Sequence, residues 1–195
     1  MSDEVLEIPD DAVVDPVLRQ RHSFTRRTDE RGELLEINSW VEPGGGVTPH
    51  VHPTMDERFT VVSGRCSFLG GRRWKEAAAG ESVDVPAGTR HSYRNEGDEL
   101  AHIVCEARPP ETLEDFLTDT AALSRAGKIA RQGIPRGFDG LLAGVALVHG
   151  YREMVVIGFP PLPPPAVKRV LFPPLVRLAE RRGYRPGNFE AALGG

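Results

Sequence analysis

The sequence predicts a mainly β domain followed by a small helical extension, and three observations lead there. Across residues 21–110, short runs of alternating apolar and polar residues are separated by Gly, Pro, Asn and Asp. Neither a helical period nor an internal repeat occurs in that stretch. After Arg108-Pro109-Pro110 the apolar residues recur at helical spacing instead. Many short strands divided by turn signals describe an all-β sandwich or barrel, and apolar residues three and four apart describe amphipathic helices.

Taken in order, residues 1–20 read as an N-terminal arm with a little helix or strand. The barrel occupies 21–110, with strands expected at 23–27, 34–41, 50–53, 58–62, 65–69, 82–85, 91–94 and 101–107. Turn signals separate them at Glu30-Arg31-Gly32, Pro43-Gly44-Gly45-Gly46, Gly70-Gly71 and Asn95-Glu96-Gly97-Asp98. Residues 111–195 form the extension. A helix over 111–126 places Leu113, Phe116, Leu117 and Ala121 at helical spacing, with Glu114 and Asp115 near its start. A second helix, rich in Leu, Val, Ala and Gly, is expected over 139–150. A third covers 166–182, with Val167, Val170, Leu171, Leu175 and Leu178 along one face. Pro173-Pro174 should interrupt it, because an internal proline removes a backbone donor. The proline-rich run from Phe159 to Pro165 must be extended or irregular. An extension this apolar is expected to pack on the barrel or on a second subunit.

A chain of 195 residues, 39% hydrophobic, has room for one ordinary domain and an extension. Its net charge of −4 opposes attraction to nucleic acid or an anionic membrane. The acidic start, MSDEVLEIPDD, lacks the basic and apolar regions of a secretory signal. Cys66 and Cys105 are too few for a disulfide framework, so both are expected to be reduced core residues of a cytoplasmic protein. No uncharged run reaches the roughly 18 residues of a membrane-spanning helix.

The chemistry concentrates in two stretches. His50 and His52 are two apart, so on a strand they share a face at roughly 6.5–7 Å. Two imidazoles at that spacing can converge on one ion. Glu57 opens the next apolar run, and the turn through Pro53-Thr-Met-Asp56 can return its carboxylate beside them. His91 follows the turn at Pro86-Ala-Gly88 and can close the set from across the barrel. Three imidazoles and a carboxylate suit one divalent transition metal, Fe(II) first, with Mn, Ni, Co, Cu or Zn also compatible.

Gly44, His50, His52, Glu57 and Gly64 fill the pattern G-x5-H-x-H-x4-E-x6-G, and Gly80, Pro86, Gly88, His91 and Asn95 fill G-x5-P-x-G-x2-H-x3-N. These are both signature motifs of the cupin superfamily. The chain resembles a small single-barrel, quercetin-dioxygenase-like cupin with a C-terminal helical extension. The resemblance implies a double-stranded β-helix (a jelly-roll barrel) with metal ligands His50, His52, Glu57 and His91. It also implies a structural role for Asn95 and a homodimer.

Other residues carry two readings each. Phe59, Val61, Cys66, Phe68 and Tyr93 alternate on strands beside the ligands; they could line a pocket above the metal or simply fill the barrel. Met55 and Trp40 could sit at the barrel mouth or serve packing alone. His102 and His149 read as satisfied or solvent-facing histidines rather than catalytic ones. Arg58, Arg65, Arg90 and Arg94 could steer an acidic substrate, but scattered strand arginines usually form a solvated outer face.

Three functions compete. The first is an enzyme: an O2-dependent oxygenase of a small enol, phenol or diketone, with Glu57 as catalytic base. The second is a non-redox metal-dependent isomerase, epimerase or cyclase acting through an enolate. The third is a metal-containing protein that binds a small molecule without turnover. The absence of any helix-turn-helix segment argues against a transcription factor.

Overall fold

Two antiparallel sheets pack around one apolar interior, and the helical extension continues that interior without a break. The computed structural model describes residues 7–157 and 164–194. The first sheet runs in the order β1 (Val13–Asp15), β2 (Gln20–Asp29), β3 (Gly32–Val41), β10 (Ala101–Arg108), β5 (Asp56–Ser63) and β8 (Ser82–Val85). The second runs β13 (Val156–Ile157), β4 (His50–Val51), β9 (His91–Arg94), β6 (Arg65–Gly70) and β7 (Arg73–Ala78). This is a jelly-roll barrel. A two-strand ribbon of β11 (Ile129–Ala130) and β12 (Ile134–Pro135) lies in the extension.

Strand parity decides what enters the barrel. Along β5, Glu57, Phe59 and Val61 are buried while Arg58 and Val62 are exposed, so the carboxylate of Glu57 points inward with the apolar residues. On β10, Ile103, Cys105 and Ala107 face the same interior. Glycine is required at the β5–β6 turn: Gly64 has φ +72°, and a Cβ there would lie 2.9 Å from the Leu100 carbonyl oxygen. Asn95 spends its amide on backbone, donating to Val41 and Glu99 carbonyls and accepting from the Gly97 amide.

The strands differ from expectation in several places, the short β11, β12 and β13 beyond the barrel sequence among them. β2 begins at Gln20 and β1 precedes it, so part of the expected arm belongs to the sheet. β7 was not foreseen because Arg73-Trp-Lys-Glu is charged and exposed, as suits an edge strand. The strand at His50 stops at Val51, before Pro53.

Four helices make the extension: α1 (Leu113–Arg125), α2 (Gly137–Gly150), α3 (Pro165–Arg181) and α4 (Phe189–Ala192). The expected break at Pro173-Pro174 does not occur; α3 runs through both prolines. Both face solvent, and the carbonyls they leave unpaired belong to the exposed residues Arg169 and Val170, where water can serve them. The run from Phe159 to Pro163, expected to be irregular, lies outside the described residues. Buried Asp119 ties the helices together, accepting hydrogen bonds from Tyr151 Oη (2.7 Å), the Gly187 amide (2.8 Å) and the Phe189 amide (3.0 Å). β13 pairs antiparallel with β4, Val156 opposite Val51 and Ile157 opposite His50. No helix among the described residues is long and apolar enough to cross a membrane.

Two stability predictions follow from these buried groups. Asp119→Ala orphans the Tyr151 hydroxyl and the Phe189 amide, while the Gly187 amide keeps Tyr151 Oη at 2.9 Å, and should cost about 2 kcal/mol in urea unfolding. His22, buried on β2 with Nδ1 2.8 Å from Ser39 Oγ, is pulled down to about 4 by burial. The unfolded chain therefore binds the extra proton first. His22 stability is intact above the unfolded pKa near 6.5 and is lost as pH falls toward 4, by on the order of 3 kcal/mol. His22→Gln should flatten that part of the pH–stability curve relative to the unsubstituted protein, read by thermal melts between pH 4 and 7.

Candidate metal centre

The centre is assembled from three strands and one loop. His50 on β4 and His91 on β9 are direct cross-strand partners, with ring centroids 4.2 Å apart. His52 follows β4 and brings its ring to 4.9 Å from His50 and 5.4 Å from His91. Glu57 reaches in from β5 on the opposite sheet. One ligand atom from each of these four residues lies within 4.8 Å of every other, so the group could hold a metal ion. His52, Glu57 and His91 are buried and His50 is half-buried.

The hydrogen bonds behind the rings orient them. Nδ1 of His50 lies 2.8 Å from the Thr48 carbonyl oxygen, Nδ1 of His91 lies 2.9 Å from that of Thr89, and Nδ1 of His52 lies 2.9 Å from that of Met154. A carbonyl only accepts, so each Nδ1 must carry the proton. Each neutral ring then turns a bare Nε2 lone pair toward the centre, the arrangement expected of metal-ligating histidine. Thr48-Pro-His50 and Thr89-Arg-His91 repeat one local device, a carbonyl two residues upstream of the ring.

Glu57 Oε2 stands 2.6 Å from His91 Nε2, yet neither atom has a partner of hydrogen-bonding geometry. Two buried acceptors at that distance require a positive charge on or between them. The donor set therefore fits a divalent cation. Its electrostatics agree. Burial pushes the Glu57 carboxyl up, but the facing imidazoles of His91, His52 and His50 outweigh it and hold it below the ordinary carboxylate range. Burial lowers His91 while the Glu57 carboxylate more than restores it, leaving it raised. His50, desolvated and facing two other imidazoles, is pulled down to about 3. On the other side of Glu57, the Cys105 thiol approaches Oε1 at 3.7 Å. Burial first, then the nearby carboxylate, pushes that thiol far up, so it stays protonated. Both cysteines are buried and free.

A cavity of about 480 Å³ opens from the centre and is walled largely by apolar side chains. Phe59 and Tyr93 line it on the barrel side, while Phe116, Leu147 and Phe172 close it from the helices. Of the pocket residues expected from sequence, Met55 and Phe68 do not line it. Met55 is 1% exposed and lies in the core rather than at a barrel mouth. Phe68 sits behind the pocket wall, packed on Phe59 and Tyr93. Val61 and Cys66 likewise fill the core. Trp40 is buried and stacks on His102 at 4.8 Å, and His102 Nε2 is paired with Asn38 Oδ1 at 2.9 Å. His149 is half-buried on α2. The four strand arginines are exposed; Arg58 pairs with Asp84, Arg65 with Glu76 and Arg94 with Glu96.

Sequence reasoning missed two parts of the site. The Met154 carbonyl lies 102 residues from the histidine it orients. Gln20, His22 and Ser39 also line the cavity; their signal was polar residues of matching parity on the paired strands β2 and β3.

A family model described as cupin domain matches residues 40–105. The chain is similar to a polyketide synthase, CurC, of Streptomyces cyaneus, with 34% identity over 70 residues, or 35% of this chain and 45% of that protein. The match thus spans less than half of that relative's length. Among solved structures, the chain is similar to KdgF from Halomonas sp., with 17% identity, a TM-score of 0.45 and coverage of 53% of this chain and 90% of that one. It is also similar to a conserved protein of Klebsiella pneumoniae with a double-stranded β-helix domain (21% identity, TM-score 0.44, covering 57% and 90%).

Purified protein should bind close to one divalent ion per chain. His91→Ala removes the imidazole that faces both His50 and Glu57, and elemental analysis should show its metal content falling well below stoichiometric.

Proposed function

The barrel of this chain is a cupin domain, and from that premise we propose that it is a metal-dependent oxygenase of a small enol, phenol or diketone. The observation that carries the reading is the meeting of three imidazoles and a carboxylate in the wall of a largely apolar cavity. His50, His52, Glu57 and His91 would hold the ion. When bound, it would supply Lewis acidity and, if redox-active, electron transfer to dioxygen.

The chain's own residues do the rest. The apolar walls take up an unsaturated organic body and exclude water, which strengthens every electrostatic contact at the centre. Glu57 is held ionised beside the three imidazoles and can accept a substrate hydroxyl or α-carbon proton at a carboxylate oxygen. The Cys105 thiol, donating to Oε1, steadies that carboxylate without competing as a nucleophile. A cytoplasmic location and a homodimer belong to the same proposal. Two free thiols support the first, and apolar side chains exposed on α3, such as Val170 at 71%, support the second.

A second reading is favoured by the similarity to a polyketide synthase. Polyketide-type substrates are rich in enolisable carbonyls, and the same centre could stabilise an enolate without redox chemistry, as a cyclase or isomerase does.

Oxygen uptake separates the two. Protein loaded with Fe(II) should consume O2 in the presence of pentane-2,4-dione, catechol or a naphthol, and Glu57→Gln should lower that rate by about 100-fold or more. If the native metal is zinc and no compound of these classes drives oxygen uptake, the oxygenase reading falls and the enolate reading takes its place.

A further inference from the structure

The cavity has a second polar end. On β2, Gln20 and His22 point into it with matching parity, and the cross-strand partner of His22 is Ser39 on β3. Tyr93 reaches them from the opposite sheet, donating its phenol hydrogen to Gln20 Oε1 at 2.8 Å. His22 Nδ1 lies 2.8 Å from Ser39 Oγ, and Ser39 in turn faces the Tyr93 phenol. Of this polar cluster, the Tyr93 hydroxyl engages the Gln20 carbonyl oxygen. What remains is the Gln20 amide nitrogen. That group is buried, its residue 2% exposed, and Nε2 has no hydrogen-bond partner.

This amide is not part of the metal centre. Tyr93 is two residues beyond His91 on β9, a step of about 7 Å along the strand. Phe59 fills the wall between, its ring 6.3 Å from that of His91 and 5.8 Å from that of Tyr93. The cavity therefore presents lone pairs at one end, a donor at the other and apolar surface between them. Its volume of about 480 Å³ is roughly three times a cavity that holds one benzene ring.

We propose that Gln20, fixed by Tyr93, is a second substrate anchor whose Nε2 donates to a carbonyl or other acceptor oxygen on the substrate edge opposite the one presented to the metal. Within the enol, phenol and diketone classes, the preferred substrate is then a two- or three-ring compound with oxygen on both edges. This rests on the metal-dependent reading only for what happens at the opposite end.

The test is calorimetric binding of two probes to metal-loaded protein under anaerobic conditions. 1-Hydroxyanthraquinone has a hydroxy-ketone edge and a second carbonyl on the opposite side; 8-hydroxy-1-tetralone has the first edge alone. Gln20→Leu should weaken the anthraquinone about tenfold, one hydrogen bond's worth, and change the tetralone by less than twofold at unchanged metal content. Gln20→Met, unbranched and of similar length, carries the same test should the leucine variant not fold. Equal anthraquinone affinity in the variants and the unsubstituted protein would overturn the proposal. So would an unsubstituted protein that binds neither probe, or an equal loss for both. If the anthraquinone binds with the same Gln20 dependence whether or not metal is loaded, the amide anchor stands and the metal-dependent reading fails instead.

Discussion

Each of the three imidazoles at the centre donates its Nδ1 proton to a backbone carbonyl, and from that constraint the rest of the site follows. Three lone pairs and a carboxylate then point at one another inside the protein, an arrangement that repels itself when nothing cationic sits among them. The barrel must hold these groups in place against that repulsion. It does so by mounting His50 and His91 as direct cross-strand partners and Glu57 on a central run of the facing sheet. Rigid strands supply positional accuracy that loops could not.

The extension belongs to this device as much as the barrel does. Thr48 and Thr89 orient their histidines from two residues away, so their carbonyls arrive with the strands themselves. The carbonyl behind His52 arrives only when β13 docks beside β4. The same docking covers the edge of a two-residue strand that would otherwise be weakly held. Truncating the chain at the end of the barrel would leave all four metal-facing side chains present, but one of them would be free to turn.

What the sequence made legible was whatever depends on local spacing. The grouping of His50, His52 and Glu57 and the turn at Gly64 follow from residues a few positions apart, whereas His91 and the structural use of Asn95 came with the second motif. Parity along β5 likewise put Glu57 and Phe59 on one face. Features that depend on meetings across the fold were not legible. Met55 was left between the barrel mouth and plain packing, and the structure places it in the core. Phe68 shares its strand's inward parity but stands behind Phe59 and Tyr93, a layering that spacing alone does not specify. Gln20, in a segment read as an arm, acquires its importance from a tyrosine 73 residues away. Pro173-Pro174 misled for a different reason: the penalty of an internal proline falls on two carbonyls, and here both belong to exposed residues.

The two halves of the molecule divide the labour of the cavity unequally. Its metal-facing wall and polar end are built from strands, while most of its apolar closure comes from helices. Side chains such as Phe116, Leu147 and Phe172 set the size and shape of the guest and touch no ligand, so they can vary without disturbing the donor set. Met154 is the exception, because its carbonyl passes any displacement of the segment after α2 directly to the ring of His52. The helical extension and the orientation of His52 therefore meet at one hydrogen bond.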